Sequence, residues 1–365
     1  MSAAAHCRIV SVGKRRDGGT RYWCLEHRAD ATAKYGRRSA KCRHADIPPI
    51  MPNQVLDLDI ESFPGGVAMW GAVAPIYDTT RIAVEQGVHV HARRVPRGPK
   101  EIDGTFRRVR AARRRGQHIR EIEISELEAV YYMVSSVLGF QMKRVDCTFC
   151  RLPHLDKDWF SVHPHRRHLC AGCGKYFRDT EPSIGNPVAA AKQSFQAWHP
   201  LKPAKKVIDI DQSKYPGGIQ VWGSNPALLW TVRRSEEEGI HVHVASEDGS
   251  SIVTDETFSR VTVDGVHLDE AMIRMLMAQS ALPHIAGRIV SVRCPKCLRS
   301  HFDKAENAFT PHTEHYCETC GSKFRSLGRM RKTIGNPMIG ILAELGRNAS
   351  RPPQQHRSQL LVETI

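Results

Sequence analysis

Two short strings, GVHVHA at 87–92 and GIHVHV at 239–244, place a pair of histidines one residue apart at two points of one chain. On a β-strand, residues i and i+2 share a face. His89 and His91 then present two imidazoles together while Val88 and Val90 point the other way, and His241 and His243 do the same. Two imidazoles on one face hold a divalent metal once a carboxylate or a third histidine joins them. Carboxylates are to hand: Asp57 and Asp59 share a strand face, as do Asp209 and Asp211, while Asp103 and Asp255 follow the histidine pairs at equal distance. These ten side chains are the candidate catalytic residues of a metal-dependent hydrolase or nucleotidyl transferase. Alternatively the histidines and aspartates lie on an exposed or inter-domain strand face, or contact a ligand without catalysis. Neither a phosphate-binding glycine loop nor a nucleophile elbow accompanies them. Convergence of Asp57, Asp59, His89, His91 and Asp103 in space would favour catalysis.

Eleven cysteines carry the stronger signal. Cys147-x2-Cys150, nineteen residues, then Cys170-x2-Cys173-Gly recurs as Cys294-x2-Cys297, nineteen residues, then Cys317-x2-Cys320-Gly. Zinc(II) prefers four soft ligands in a tetrahedron, and a CxxC turn delivers two thiolates to one ion. Both stretches resemble the zinc-ribbon module, which implies two bound Zn(II) ions. Each ribbon also carries matched polar residues beyond the thiolates: His154, Asp156, His165 and His168 correspond to His301, Asp303, His312 and His315. They are expected to support the metal by bonding backbone or carboxylate, with contact to phosphate or a base, or a place in the ligand set, as alternatives. Cys7, Cys24, His27 and Cys42 suggest a third zinc in an N-terminal module, with His44 competing for the fourth place.

Two families share features with the histidine pairs. His89, His91 and Asp103 resemble the H-x-H and later Asp of the zinc-dependent deubiquitinases of the JAMM type, but eleven residues separate His91 from Asp103 and the serine expected three positions before that aspartate is absent. Asp57, Asp59 and His89 or His91 are similar to the D-x-D and later histidine of the archaeo-eukaryotic primases, which often carry a zinc module. The first resemblance implies a metal hydrolase, the second a nucleotidyl transferase.

The elements that must position these residues repeat. VLDLDIESFPGGVAMWGA at 55–72 aligns with VIDIDQSKYPGGIQVWGS at 207–224, and the offset of 152 persists through His89/His241, Asp103/Asp255 and Phe106/Phe258. It falls to 147 at the cysteines, so five extra residues of the first half lie in or beside RAARRRGQH. IGNP follows each cluster, at 184–187 and 334–337. This pattern reads as an internal duplication. Within each unit, period-2 alternation marks strands, FPGG and YPGG mark turns, and SELEAVYYMVSSVL at 125–138 and LDEAMIRMLMAQSAL at 268–282 mark helices, the first opened by a Ser125/Glu128 capping box. Trp70 and Trp222 hold matched positions after the turns, which favours packing over base stacking.

The fold expected is α+β: an N-terminal Cys/His zinc module (1–48), a strand-rich repeat with a helix (54–146), a zinc ribbon (147–190), a linker (191–206), a second repeat (207–293), a second ribbon (294–345) and a polar, disordered tail (346–365). The net charge is +15 over 365 residues, and residues 93–120 hold eleven Lys or Arg against two acids. Such a balance points to an anionic partner, DNA or RNA first. Arg107, Arg108, Arg110, Arg113, Arg114 and Arg115 are the expected phosphate contacts, since a guanidinium grips phosphate in two places. No signal peptide opens the chain and the longest apolar run is too short for a bilayer, so a cytoplasmic or nucleoid-associated protein without membrane contact is expected. The favoured function is nucleic-acid binding on a zinc scaffold, with a metal-dependent enzyme and a protein-interaction adaptor as alternatives.

Overall fold

Period-2 alternation does set the strands that carry the histidines. The computed structural model describes residues 9–14, 20–24, 29–30, 55–80, 87–115, 118–195, 201–232, 236–325 and 331–349. Within these it is α+β, with four α-helices and several small sheets. Strands β1 (Ile9–Lys14), β2 (Thr20–Cys24) and β3 (Ala29–Asp30) form a small antiparallel sheet. Cys7, His27, Cys42, His44 and the side chain of Cys24, the expected third zinc site, lie outside the described residues.

The first half then runs β4 (Val55–Asp59), β5 (Gly66–Ala72), β6 (Tyr77–Asp78), β7 (Gly87–Arg93), β8 (Ile102–Phe106), β9 (Arg108–Arg115), β10 (His118–Ser125) and α1 (Glu126–Val137). Ser125 caps α1 through a reciprocal capping box with Glu128, as the sequence pattern requires. The cysteine-bearing segment adds β11 (Met142–Lys143), β12 (His165–Leu169), β13 (Tyr176–Gly185) and α2 (Val188–Phe195). After β14 (Leu201–Pro203), the second half follows with β15 (Val207–Ile210), β16 (Ile219–Gly223), β17 (Leu229–Trp230), β18 (Glu236–Glu238), β19 (Ile240–Ala245), β20 (Ile252–Phe258), β21 (Arg260–Val263), β22 (Val266–Leu268) and α3 (Glu270–Ser280). It closes with short strands β23 (Ile289–Val290), β24 (Val292–Arg293), β25 (Ser300–His301), β26 (Glu314–Tyr316), β27 (Lys323–Arg325) and β28 (Ile334–Gly335), and helix α4 (Pro337–Ala349). None of these helices is long and apolar enough to cross a membrane.

The two histidine strands sit in sheets of the same design that trade an edge. One sheet has the order β17-β5-β7-β8, the other β6-β16-β19-β20. Tyr77–Asp78 of the first half therefore pairs in the second sheet, and Leu229–Trp230, 152 positions later, pairs in the first. The exchange is reciprocal bond by bond: Ile76 N donates to Val221 O at 2.8 Å and Leu228 N to Met69 O at 2.7 Å. Likewise Ile219 N donates to Thr79 Oγ1 at 2.9 Å and Val67 N to Thr231 Oγ1 at 2.8 Å. Beneath the exchange, Tyr131, Met133 and Val134 of α1 share a buried cluster with Met277 and Ala278 of α3. Val88, Val90, Val242 and Val244 are buried on the inner faces, each contributing on the order of 1.5–3 kcal/mol relative to exposure.

The PGG turns and the IGNP motif are explained by close backbone approach. A Cβ at Gly65 would meet Val95 carbonyl atoms at 2.5 Å, and one at Gly217 would meet Ser246 O at 1.7 Å. In the first IGNP, Gly185 N donates to Asp156 Oδ2 at 2.7 Å, while Asn186 Nδ2 donates to Glu128 O of α1 at 3.0 Å. In the second, Gly335 N donates to Asp303 Oδ2 at 2.6 Å and Asn336 Nδ2 to Met272 O of α3 at 3.1 Å. Each IGNP thus clasps a cysteine segment to the helix before it.

The extra residues of the first half lengthen one hairpin. β9 and β10 pair over eight positions, whereas β21 and β22 pair over three, closed by Asp264 and Gly265 with φ of 48° and 76°.

Candidate metal centres

On β7, burial alternates, with Val88 and Val90 inside and His89 and His91 on the partly exposed face. The antiparallel partner β8 sets Thr105 opposite His89 and Asp103 opposite His91. Three ligand atoms then converge: His89 Nε2 and His91 Nε2 lie 2.9 Å apart, and Asp103 Oδ1 is 3.5 Å and 3.0 Å from them. Thr105 Oγ1 is 3.0 Å from His89 Nδ1. With Nδ1–H donating to that hydroxyl, the Nε2 lone pair points at the convergence. β19 and β20 build the same triangle, with His241 Nε2 and His243 Nε2 2.9 Å apart and Asp255 Oδ1 3.3 Å from each. Thr257 Oγ1 stands 3.2 Å from His241 Nδ1.

Metal bonds of about 2.0–2.1 Å in a tetrahedron separate ligand atoms by about 3.3 Å, so both triangles fit a divalent ion. Asp103 and Asp255 are 46% and 45% exposed, so the carboxylate side of each triad is open to solvent. Burial, followed for His91 by the charge of its neighbour His89, pushes both imidazoles of the first triad down and keeps them neutral and ligand-competent. Burial raises the Asp103 carboxyl, but Lys100 and the two imidazoles more than reverse this. Hydrogen bonds from His241 and His243 hold Asp255 well below the usual carboxylate range.

The two triads are neighbours. Lys100 Nζ lies 2.8 Å from Asp103 Oδ2, 3.2 Å from His91 Nε2 and 3.4 Å from Asp255 Oδ2. Trp70 and Trp222 form the walls, edge-on to His91 and His243 at 4.9 Å and 4.7 Å between ring centroids. Lys100 was not singled out by the sequence, whereas Thr105 and Thr257 were matched by the 152-residue offset but given no role.

Asp57 and Asp59 stand elsewhere. They lie on β4, in the sheet β10-β9-β4. Asp57 pairs with Arg110 at 3.0 Å, and Asp59 caps the turn at Ile60–Ser62 by accepting from Glu61 N and Ser62 Oγ. Asp211 caps the matching turn through Ser213, and Asp209 sits on β15 opposite Thr262. Only the second aspartate of each D-x-D caps a turn, and the primase-like grouping of Asp57 and Asp59 with the histidines does not form.

Both four-cysteine groups are assembled. Sulfur separations are 3.7 Å (Cys147–Cys173), 3.5 Å (Cys150–Cys170) and 3.6 Å for both Cys294–Cys320 and Cys297–Cys317. Zn–S bonds of about 2.3 Å place tetrahedral sulfurs about 3.8 Å apart. The residue after each second cysteine is left-handed: Arg151, Gly174, Leu298 and Gly321 have φ of 59°, 71°, 60° and 68°. That turn aims backbone N–H at sulfur, as from Phe149 to Cys147 and Cys173 to Cys170, each at 3.4 Å. These two groups fit zinc-binding modules.

The matched histidines of the ribbons gather around one carboxylate each. Asp156 faces His154 Nε2 at 2.7 Å, His165 Nε2 at 3.1 Å and His168 Nδ1 at 3.2 Å. Asp303 faces His301, His312 and His315 at 2.6, 3.2 and 3.0 Å. Burial opposes ionisation of both aspartates, yet hydrogen bonds from the three imidazoles hold them well below the usual range.

Three of the six expected phosphate-binding arginines are already engaged by acids. Arg108 pairs with Glu123 at 2.5 Å, Arg110 with Asp57 at 3.0 Å and Arg113 with Glu61 at 3.4 Å. Arg107 and Arg114 are exposed, and Arg115 ends β9. A cleft of about 710 Å³ beside the hairpin is lined by Arg107, Arg108, Arg120, Arg144 and Lys157, with Glu121, Glu123 and Glu126 among them. The first cysteine segment also exposes Phe149, Trp159, Phe160 and Tyr176. Arg167 sits 4.2 Å over Tyr176, and Lys175 5.0 Å over Phe149. At the matched places the second segment has Lys296, Glu306, Asn307 and Lys323.

Comparison with protein families, characterised proteins and solved structures finds no match for this chain.

Proposed function

We propose that the protein is a metal-dependent enzyme acting on nucleic acid, built from two copies of an α+β unit, each closed by a zinc ribbon. The observation that carries this is the convergence of two imidazole Nε2 atoms and one carboxylate oxygen within 3.5 Å, formed twice and linked by Lys100, with Asp57 and Asp59 standing apart. These three ligand atoms are close enough to hold one divalent ion between them, and structural zinc is already provided for by the cysteines. A divalent ion at such a site lowers the pKa of a bound water to about 7. His89, His91, Asp103, His241, His243 and Asp255 are the residues that would hold metal, and Lys100 faces charge that develops beside them.

Nucleic acid is favoured as substrate by the net charge of +15 and by the first cysteine segment, which exposes Phe149, Trp159, Phe160 and Tyr176 together with Arg166, Arg167, Lys175 and Arg178. Rings interleaved with cations are what stacks on unpaired bases and tracks their phosphates.

The test is to incubate the full chain with labelled single- and double-stranded DNA and RNA in Mn(II), Mg(II) or Zn(II). Cleavage lost in H241A/H243A, with binding retained, is the expected result. Binding without turnover under any of these metals would leave a nucleic-acid-binding protein instead.

A further inference from the structure

We propose that the linked triads make one asymmetric centre: His241, His243 and Asp255 hold a single divalent ion, and the Lys100 ammonium stands in for a second ion at His89, His91 and Asp103. This rests on the metal-centre reading above and deepens it.

The two triads match in ligand type but not in what touches the ligands. Lys100 Nζ bonds Asp103 Oδ2 at 2.8 Å and reaches His91 Nε2 at 3.2 Å. It thereby engages a ligand nitrogen of the first triad through the same lone pair a metal would use. An ion entering there would have to displace the ammonium or lie against it. The position 152 residues later is Ile252, so the second triad receives no such cation from its own half. Lys100 reaches it only through Asp255 Oδ2 at 3.4 Å, the oxygen turned away from the histidines, which meet Oδ1. Among the described residues no Lys or Arg hydrogen-bonds His241 Nε2 or His243 Nε2.

The geometry agrees. The second triangle has edges of 2.9, 3.3 and 3.3 Å, close to regular, while the first is skewed to 2.9, 3.0 and 3.5 Å with Asp103 shared with the ammonium. Asp255 would then tie metal and ammonium together, one through each carboxylate oxygen. A doubly charged ion and a singly charged ammonium on either side of one carboxylate suit a substrate that offers two anionic oxygens, as a phosphodiester does.

Metal counting on the full chain tests this. Wild type, K100I, K100Q, H241A/H243A and H89A/H91A are dialysed against Mn(II), and bound manganese and zinc are measured per folded chain, with circular dichroism confirming the fold. H241A/H243A should lose one ion relative to wild type and H89A/H91A none, while K100I and K100Q should gain one ion that is lost again in K100I/H89A/H91A. Unchanged stoichiometry in both Lys100 variants, or loss of one ion in H89A/H91A, overturns the asymmetric centre while leaving a metal centre standing. No loss in either histidine double variant overturns the metal-centre reading itself.

Discussion

Asp103 and Asp255, 152 residues apart in the chain, place a carboxylate oxygen each against the same ammonium, at 2.8 Å and 3.4 Å from Lys100 Nζ. Their other oxygens face the histidine pairs. The exchange of Tyr77–Asp78 and Leu229–Trp230 between sheets is what brings the two halves into this register.

Thr105 and Thr257 meet His89 and His241 at Nδ1, which on the proposed reading leaves Nε2 for the metal. T257V removes that bond with little change in volume. Metal affinity at the second triad should fall about 10- to 100-fold, measured by competition with a chelating dye. The melting temperature should move little, because the hydroxyl is only partly buried.

The Asp156 and Asp303 carboxylates of the two cysteine segments are buried among imidazoles. Asp156 is 3% exposed and faces three imidazoles, so D156A should destabilise the chain by about 3–5 kcal/mol, read by denaturant titration. Its carboxyl is held below the ordinary value, so its contribution is present above about pH 4 and is lost as pH falls through the lower folded value. His165 is raised: burial lowers it, but Asp156 and the His163 carbonyl outweigh that. Its share is complete below about pH 6.5 and fades as pH rises through the raised value. A plot of stability against pH should therefore slope on both sides in wild type and flatten in D156A.

Gly217 leaves no room for a side chain, since a Cβ would fall 1.7 Å from Ser246 O. G217A should cost several kcal/mol or prevent folding, whereas G287A, which meets nothing within 4 Å, should change stability by less than about 1 kcal/mol. Thermal melts of the pair separate the two.

Arginines of one cluster should behave differently. R107A and R114A remove exposed charge, so each should flatten the salt dependence of nucleic-acid binding by about one phosphate contact and leave stability unchanged. R113A removes the ion pair with Glu61 and the bond to Phe195 O, and should lower stability instead. Fluorescence anisotropy across a salt series, with melts alongside, distinguishes them.

Much of the candidate site was legible because its rules are local. Cysteine spacing specifies a tetrahedral cage within one hairpin, and period 2 puts His89 and His91 on one face whatever lies beyond the strand. Asp103 was reachable because the interval to it is kept in both halves. Asp57 and Asp59 obey the same period, yet β4 joins the β9–β10 sheet and they turn to Arg110 and a cap. Alternation says which residues share a face, not which sheet the strand enters. Lys100 was not legible because its partners come from both halves, through an edge exchange that no run of residues encodes. The arginine run misled in part for the same reason: Asp57 and Glu123 on the neighbouring strands and Glu61 in the turn after β4 are separated from the run in sequence and brought against it by the sheet.

The most direct measurement is anomalous X-ray diffraction from crystals of the full chain grown in Mn(II), collected at the manganese and zinc edges. Zinc peaks are expected inside both four-cysteine groups, with one further metal peak bounded by His241 Nε2, His243 Nε2 and Asp255 Oδ1. A map with density at the cysteines and none at either histidine triad would contradict the metal-dependent centre.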